Sequence, residues 1–167
     1  MRFWLLAASA LAIACAASPP TGPPLPEGRV IYRFESLEGP PLSMTTLRGR
    51  PVLLTVISTW ADPAMVEVPV YKRLHERYGE RLTVVCVVLD DNPGMARIFR
   101  DTFAIPYQVV TVADPPGFTG PGGPLGPIGS IPTSVLIDAE GRIVARMDGM
   151  WDPDLLDRAI STLLPAN

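Results

Sequence analysis

The stretch VISTWADPAMVEVP, residues 56–69, is where an apolar β-branched run gives way to a helical pattern. Upstream of it, VLLTVIST (52–59) is almost continuous in aliphatic and β-branched residues, as expected of a strand buried on both faces. Downstream, from Pro63 to Tyr78, the spacing predicts a helix. Its inner face is expected to carry Met65, Val66, Pro69, Val70 and Leu74, with Lys72, Arg73, Glu76 and Arg77 outside and Gly79 as the stop. Asp62 followed by Pro63 reads as an N-cap and first helical residue.

Moving outward, RLTVVCVVLD (81–90) is a second buried-type strand, and Asn92 with Pro93 opens a helix running through Phe103. This βαβα alternation predicts parallel strands with right-handed crossovers. YQVVTVAD (107–114) reads as a short strand and TSVLIDAEGRIVARM (133–147) as a hairpin turning at Ala139 to Arg142. DPDLLDRAISTLL (152–164) reads as a helix capped by Asp152. Ahead of the central strand, RVIYRF alternates and meets SLEGPPLSMTTLRGRP, a hairpin-like region with turn signals at Gly39, Pro40 and Gly49. The fold class predicted is α/β, with a central mixed sheet, helices on both faces and an extra N-terminal hairpin.

With 167 residues, 47% of them hydrophobic, the chain suits one domain with a real core, expected over residues 29–167. A net charge of −3, without a long run of like charge, gives no electrostatic footprint for nucleic acid. The N-terminus, MRFWLLAASALAIACAAS, has one basic residue and then a short apolar run, the pattern of a secretory signal over residues 1–14 and too short to span a membrane. Ala12, Ile13 and Ala14 before Cys15 resemble the lipobox of bacterial lipoproteins, in which that cysteine carries the lipid; the alternative is an ordinary cut near Ala17. Either places the protein outside the cytoplasm. Ala16 gives no acidic retention signal, which favours the outer membrane over the inner. Residues 15–28 are proline-rich and read as a semi-rigid tether, which at about 3.1 Å per residue could reach about 40 Å.

Four local sequences make the order of elements resemble the thioredoxin fold, specifically membrane-tethered thioredoxin-like proteins of the TlpA and ResA type. FESLEGPPLSMTTLRGRPVLLTVISTW (34–60) resembles the family's lead into its central strand, and GSIPTSVLIDAEGRIVARMDG (129–149) its second half. Pro69 falls where the family's helix-kinking proline falls. The family's Trp-Cys-x-x-Cys site aligns with Trp60, Ala61, Asp62, Pro63 and Ala64, so both sulfurs are absent here. Thiol–disulfide exchange needs a thiolate stabilised at the helix N-terminus and a second cysteine to resolve the mixed disulfide. Alanine supplies neither. With Cys15 lipidated or removed, Cys86 is the one remaining thiol, set mid-strand as an inert small hydrophobe.

The resemblance further implies that Pro132 is cis and that the backbone of Ile131 offers hydrogen bonds to an extended peptide, a miniature β-augmentation. The expected groove is therefore Trp60, Asp62, Pro63, Ile131 and Pro132, with a partner that is an envelope protein or an extended protein segment. The membrane would be engaged only through a lipid on Cys15. No catalytic residue, cofactor, metal or nucleic acid is expected. Copper carriers of the SCO type also use this fold, but they resemble CxxxC plus a distant histidine, and neither is present; Met65 is better read as core than as a ligand beside Met147 and Met150. His75, the single histidine, is expected on the solvated side of its helix. GFTGPGGPLGPIGS (117–130) is too rich in glycine and proline for a helix and is expected to be a flexible loop beside Pro132. The functional expectation is a non-catalytic binding or accessory module; the alternative is an oxidoreductase or antioxidant-type protein whose activity draws a thiol from a partner.

Overall fold

A computed structural model describes residues 25–164. The signal, Cys15 and most of the tether lie outside these residues. The strands are β1 (Arg33–Ser36), β2 (Leu42–Ser43), β3 (Val52–Ile57), β4 (Thr83–Val88), β5 (Gln108–Thr111), β6 (Thr133–Ile137) and β7 (Ile143–Asp148). The α-helices are α1 (Asp62–Tyr78), α2 (Pro93–Thr102), α3 (Pro115–Thr119) and α4 (Pro153–Leu163). All seven strands form one sheet in the order β2-β1-β5-β4-β3-β6-β7. The central β3, β4 and β5 are parallel, while β1 pairs antiparallel with β5, and β6 and β7 close the other side antiparallel. The mixed sheet and the N-terminal hairpin of β1 and β2 agree with the sequence expectation. No helix among the described residues is long and apolar enough to cross a membrane.

Because side chains alternate across a strand, β3 divides its residues between two cores. On one face Leu53 joins Val84, Cys86, Val88 and Leu136 beneath the three longer helices: Ala64, Val68, Tyr71 and Leu74 of α1, Phe99 of α2, and Leu156 and Ile160 of α4. On the other, Val52, Leu54 and Val56 meet Val85, Val87, Val110 and Val135 under Phe34, Phe118 and Leu125. Among the described residues the second face is covered by the short α3, the single 3-10 turn Met44–Leu47 and loop residues.

Three local expectations are corrected. The buried stripe of α1 is Ala64, Glu67, Val68, Tyr71, Leu74 and Tyr78, whereas Met65 and Val66 are exposed. That stripe follows i, i+3, i+4, i+7 faithfully; hydrophobic identity pointed elsewhere because a glutamate and two tyrosines occupy the buried positions. His75 is half-buried rather than solvated, stacked edge-on against Tyr107 at 6.0 Å between ring centroids, with Nδ1 buried.

Residues 117–130, read as too rich in glycine and proline for a helix, begin with the last three residues of α3, and the stretch buries Phe118 and Leu125. The helix α3 begins at Pro115, just before the glycine-rich stretch, with Asp114 accepting a hydrogen bond from the Gly117 N–H and proline in the first turn. Phe118 inserts between Tyr32 and Phe34, at centroid distances of 5.0 and 5.8 Å. Gly123 lies so close to the chain that a Cβ there would sit 2.0 Å from the Phe118 carbonyl oxygen. The glycines therefore serve close approach as much as freedom.

Candidate binding site

The register of the sheet brings three segments to one end of the molecule. Val56 near the end of β3 pairs with Thr133 at the start of β6, and Thr133 in turn pairs with Asp148 at the end of β7. Residues 58–62, 130–132 and 148–151 therefore converge beside the N-terminus of α1. Each has its own restraint. The Asp90 carboxylate accepts hydrogen bonds from the Thr59 N–H (3.0 Å) and from the Thr59 hydroxyl, fixing the turn that carries Trp60. The Thr133 hydroxyl lies 2.7 Å from the Ser130 carbonyl oxygen and 3.1 Å from Asp148 Oδ1. The Gly149 N–H donates to the Pro132 carbonyl at 2.7 Å.

The Ile131–Pro132 peptide is cis, as the resemblance implied. Ile131 is half-buried, and its N–H and C=O have no hydrogen-bond partner among the described residues. Trp60 is 76% exposed, an unusual placement for the largest apolar side chain. Met65, Val66 and Met150 are exposed as well, giving this end of the protein apolar surface around open backbone groups.

At the helix start, Ala61 takes the N-cap position with extended backbone and no capping side chain, and its carbonyl accepts from the Ala64 N–H at 3.0 Å. This corrects the reading of Asp62 as the cap. The helix begins one residue earlier, so Asp62 is its first residue, exposed and within the favourable field of the N-terminus but making no capping bond. Ala61 and Ala64 stand where exchange chemistry would need sulfur, and Ala64 is buried. The other thiol is remote from use: Cys86 is buried in β4 opposite Thr55 and Val109, and burial pushes its pKa well above that of an ordinary thiol.

Beneath Ala64 lies a polar layer that the sequence reading missed. Glu67 is 5% exposed, and its Oε2 has no hydrogen-bond partner. Burial raises its pKa to about 7, against opposing contributions from the Tyr71 hydroxyl and the Trp151 backbone N–H. The Tyr71 hydroxyl bonds Ser134 Oγ at 2.9 Å, and Ser134 donates to Thr55 Oγ1 at 3.0 Å. The spacing 64, 67, 68, 71 was the signal that could have found Glu67. Asp90, also missed, lies two residues beyond the end of β4, where the C-terminal ends of parallel strands collect functional side chains.

No protein-family model matches the chain. The thiol-disulfide oxidoreductase ResA of Bacillus thuringiensis is 25% identical over 130 residues, covering 77% of this chain and 72% of that one. A thiol:disulfide interchange protein of the thioredoxin family from Chlorobium tepidum superposes with a TM-score of 0.67 at 25% identity, covering 90% of this chain and all of that one. The pneumococcal exposed lipoprotein thioredoxin of Streptococcus pneumoniae superposes with a TM-score of 0.63 at 19% identity, over 80% of this chain and 99% of that one.

Proposed function

We propose, for a chain that is a thioredoxin-like protein of the ResA and TlpA type, that it is a non-catalytic binding or accessory module of the bacterial cell envelope which holds extended protein segments. The observation that carries this reading is the unpartnered N–H and C=O of Ile131 beside exposed Trp60. An extended peptide can satisfy those backbone groups while an apolar side chain covers the indole, which joins sequence-tolerant hydrogen bonding to apolar burial. The absence of sulfur at Ala61 and Ala64 removes exchange chemistry without removing this surface. An extracytoplasmic location fits the signal-like N-terminus and the lipoprotein among the structural neighbours, with Cys15 as the lipid attachment point.

The competing reading is an oxidoreductase that borrows a partner's thiol. Calorimetry with reduced, carboxymethylated α-lactalbumin, an unfolded chain without free thiols, tests the first reading. Wild type is expected to bind, Trp60→Ala to weaken binding about tenfold, and Ile131→Pro, which removes the N–H donor, to weaken it similarly. Unchanged affinity in both variants rejects the site. Insulin reduction that survives Cys86→Ser rejects the non-catalytic assignment.

A further inference from the structure

One flank of α1 plays no part in the binding end. Val66, Val70, Arg73 and Arg77 follow one another at spacings of three and four residues, which puts them on one stripe of the helix. This is not the buried stripe: Val66, Arg73 and Arg77 are exposed and Val70 is half-buried. Its last three members line a cleft of about 580 Å3 whose opposite wall is the start of α4, with Pro153, Asp154 and Asp157. Pro69, beside Val70, and Leu155, beside Asp154, are exposed as well. The two helices thus present apolar surface at a cleft that no other element fills among the described residues.

The charges of this cleft are sorted by side. The α1 wall carries two arginines and Glu76, and the α4 wall carries two aspartates. Arg77 and Asp157 close on each other across it at 3.1 Å. One turn earlier on each helix, Arg73 and Asp154 repeat the same unlike pair, yet neither side chain has an ion pair or hydrogen bond among the described residues. An acidic occupant would meet Arg73 and leave Asp154 opposed by like charge; a basic one would do the reverse. A second copy of the chain serves both. A twofold axis between Arg73 and Asp154 exchanges their positions, so Arg73 of each copy lies over Asp154 of the other, and both pairs form with no further adjustment.

We propose that the cleft between α1 and α4 is a twofold interface between two copies of this chain. Val66, Pro69, Val70, Pro153 and Leu155 supply its apolar contact, and two symmetry-related Arg73–Asp154 pairs set its register. Arg73 lies three turns along α1 from Asp62, about 16 Å at the rise of a helix, so the interface is centred away from the corner and the Trp60 and Ile131 of both copies stay open. The pair then presents two binding ends. The interface itself stands whether or not those ends hold peptide.

Sedimentation equilibrium of the full chain in density-matched nonionic detergent tests this. The N-terminal residues are the same in every variant, so a difference between variants belongs to the cleft. Wild type is expected to dimerise. Arg73→Glu and Asp154→Arg, both at exposed positions, are each expected to raise the dissociation constant about tenfold or more, because each turns two attractions into two repulsions. The double variant Arg73→Glu/Asp154→Arg is expected to recover wild-type association. An equimolar mixture of the two single variants is expected to form a heterodimer, in which both pairs are again of unlike charge; a fault of folding would not be cured by mixing. A wild type that stays monomeric up to about 1 mM overturns the proposal and leaves the cleft to a different protein. A dimer that both single variants retain overturns it too, and so do single variants that fail to pair with each other.

Discussion

Three carboxylates show how position decides what an acidic side chain does. Asp152 accepts hydrogen bonds from the N–H groups of Asp154 and Leu155 and is a true cap of α4, as its sequence context predicted. Asp62, also followed by proline, makes no such bond because Ala61 holds the capping position. The two Asp-Pro pairs look alike in sequence, yet the extended cap conformation falls on Ala61 at the first, after a turn held by Asp90 on Thr59, and on Asp152 at the second. Glu67 was illegible for a different reason, since burial of a carboxylate contradicts hydropathy and only helical spacing points to it. Its raised pKa gives a signed prediction. The folded protein keeps a proton on Glu67 up to about pH 7, while the unfolded chain releases it in the ordinary range near 4.5. The folded state thus binds more protons between those values, and the stabilisation present below pH 4.5 is lost as pH rises through 7. In urea melts, wild type is expected to lose roughly 3 kcal/mol more than Glu67→Gln between pH 5 and pH 8; parallel pH profiles would rule this out.

Among the elements, the segment after α3 departs furthest from its composition. Glycine and proline gave every local sign of a loop, and no local rule could register that Leu125 is fully buried or that Arg146, on a distant strand, reaches back to it. Arg146 donates to the carbonyls of Leu125 and Pro127, both at 2.7 Å, and its Nε meets Asp148 Oδ1 at 2.9 Å, with the side chain only 5% exposed. A lysine has one charged head in place of a planar fork and cannot serve all three. Arg146→Lys is expected to cost about 2 kcal/mol and to speed hydrogen exchange at Gly126 and Ile128, whose amides bond within the segment. Unaltered exchange there would show that Phe118 and Leu125 anchor the segment unaided. The central strands β3, β4 and β6, by contrast, were legible because their burial on both faces leaves a continuous apolar signature that needs no knowledge of distant partners.

For the molecule as a whole, the order of elements and the corner itself could be read from the chain, since the punctuation by Gly79, Asn92-Pro93 and Asp152-Pro153 falls at element ends. What could not be read was the unequal cover of the two sheet faces, a property of packing rather than of any segment. The preserved corner carries a further prediction. The helix N-terminus, the fixed turn at Thr59 and the buried carboxyl remain around Ala61 and Ala64. The double variant Ala61→Cys/Ala64→Cys is therefore expected to gain insulin-reducing turnover absent from the parent, and Cys86→Ser added to it to leave that turnover unchanged. A double variant that folds but shows no turnover would mean that more than sulfur separates this site from an exchanging one.

The chain enters the described fold at the far end of the sheet from Trp60. Arg29 bridges to Arg142, and the Val30 N–H donates to the Gly141 carbonyl. The Gly141 turn lies beyond the last residue of β6, whereas Ile131 and Pro132 precede its first. At about 3.3 Å per residue the five-residue strand separates them by roughly 15 Å. Val30 and the Gly141 turn thus mark one pole of the sheet, and Trp60, Ile131 and Pro132 the other. If the attachment proposed at Cys15 holds the domain by its Val30 pole, the pole bearing Trp60 and Ile131 meets segments arriving from the open side first.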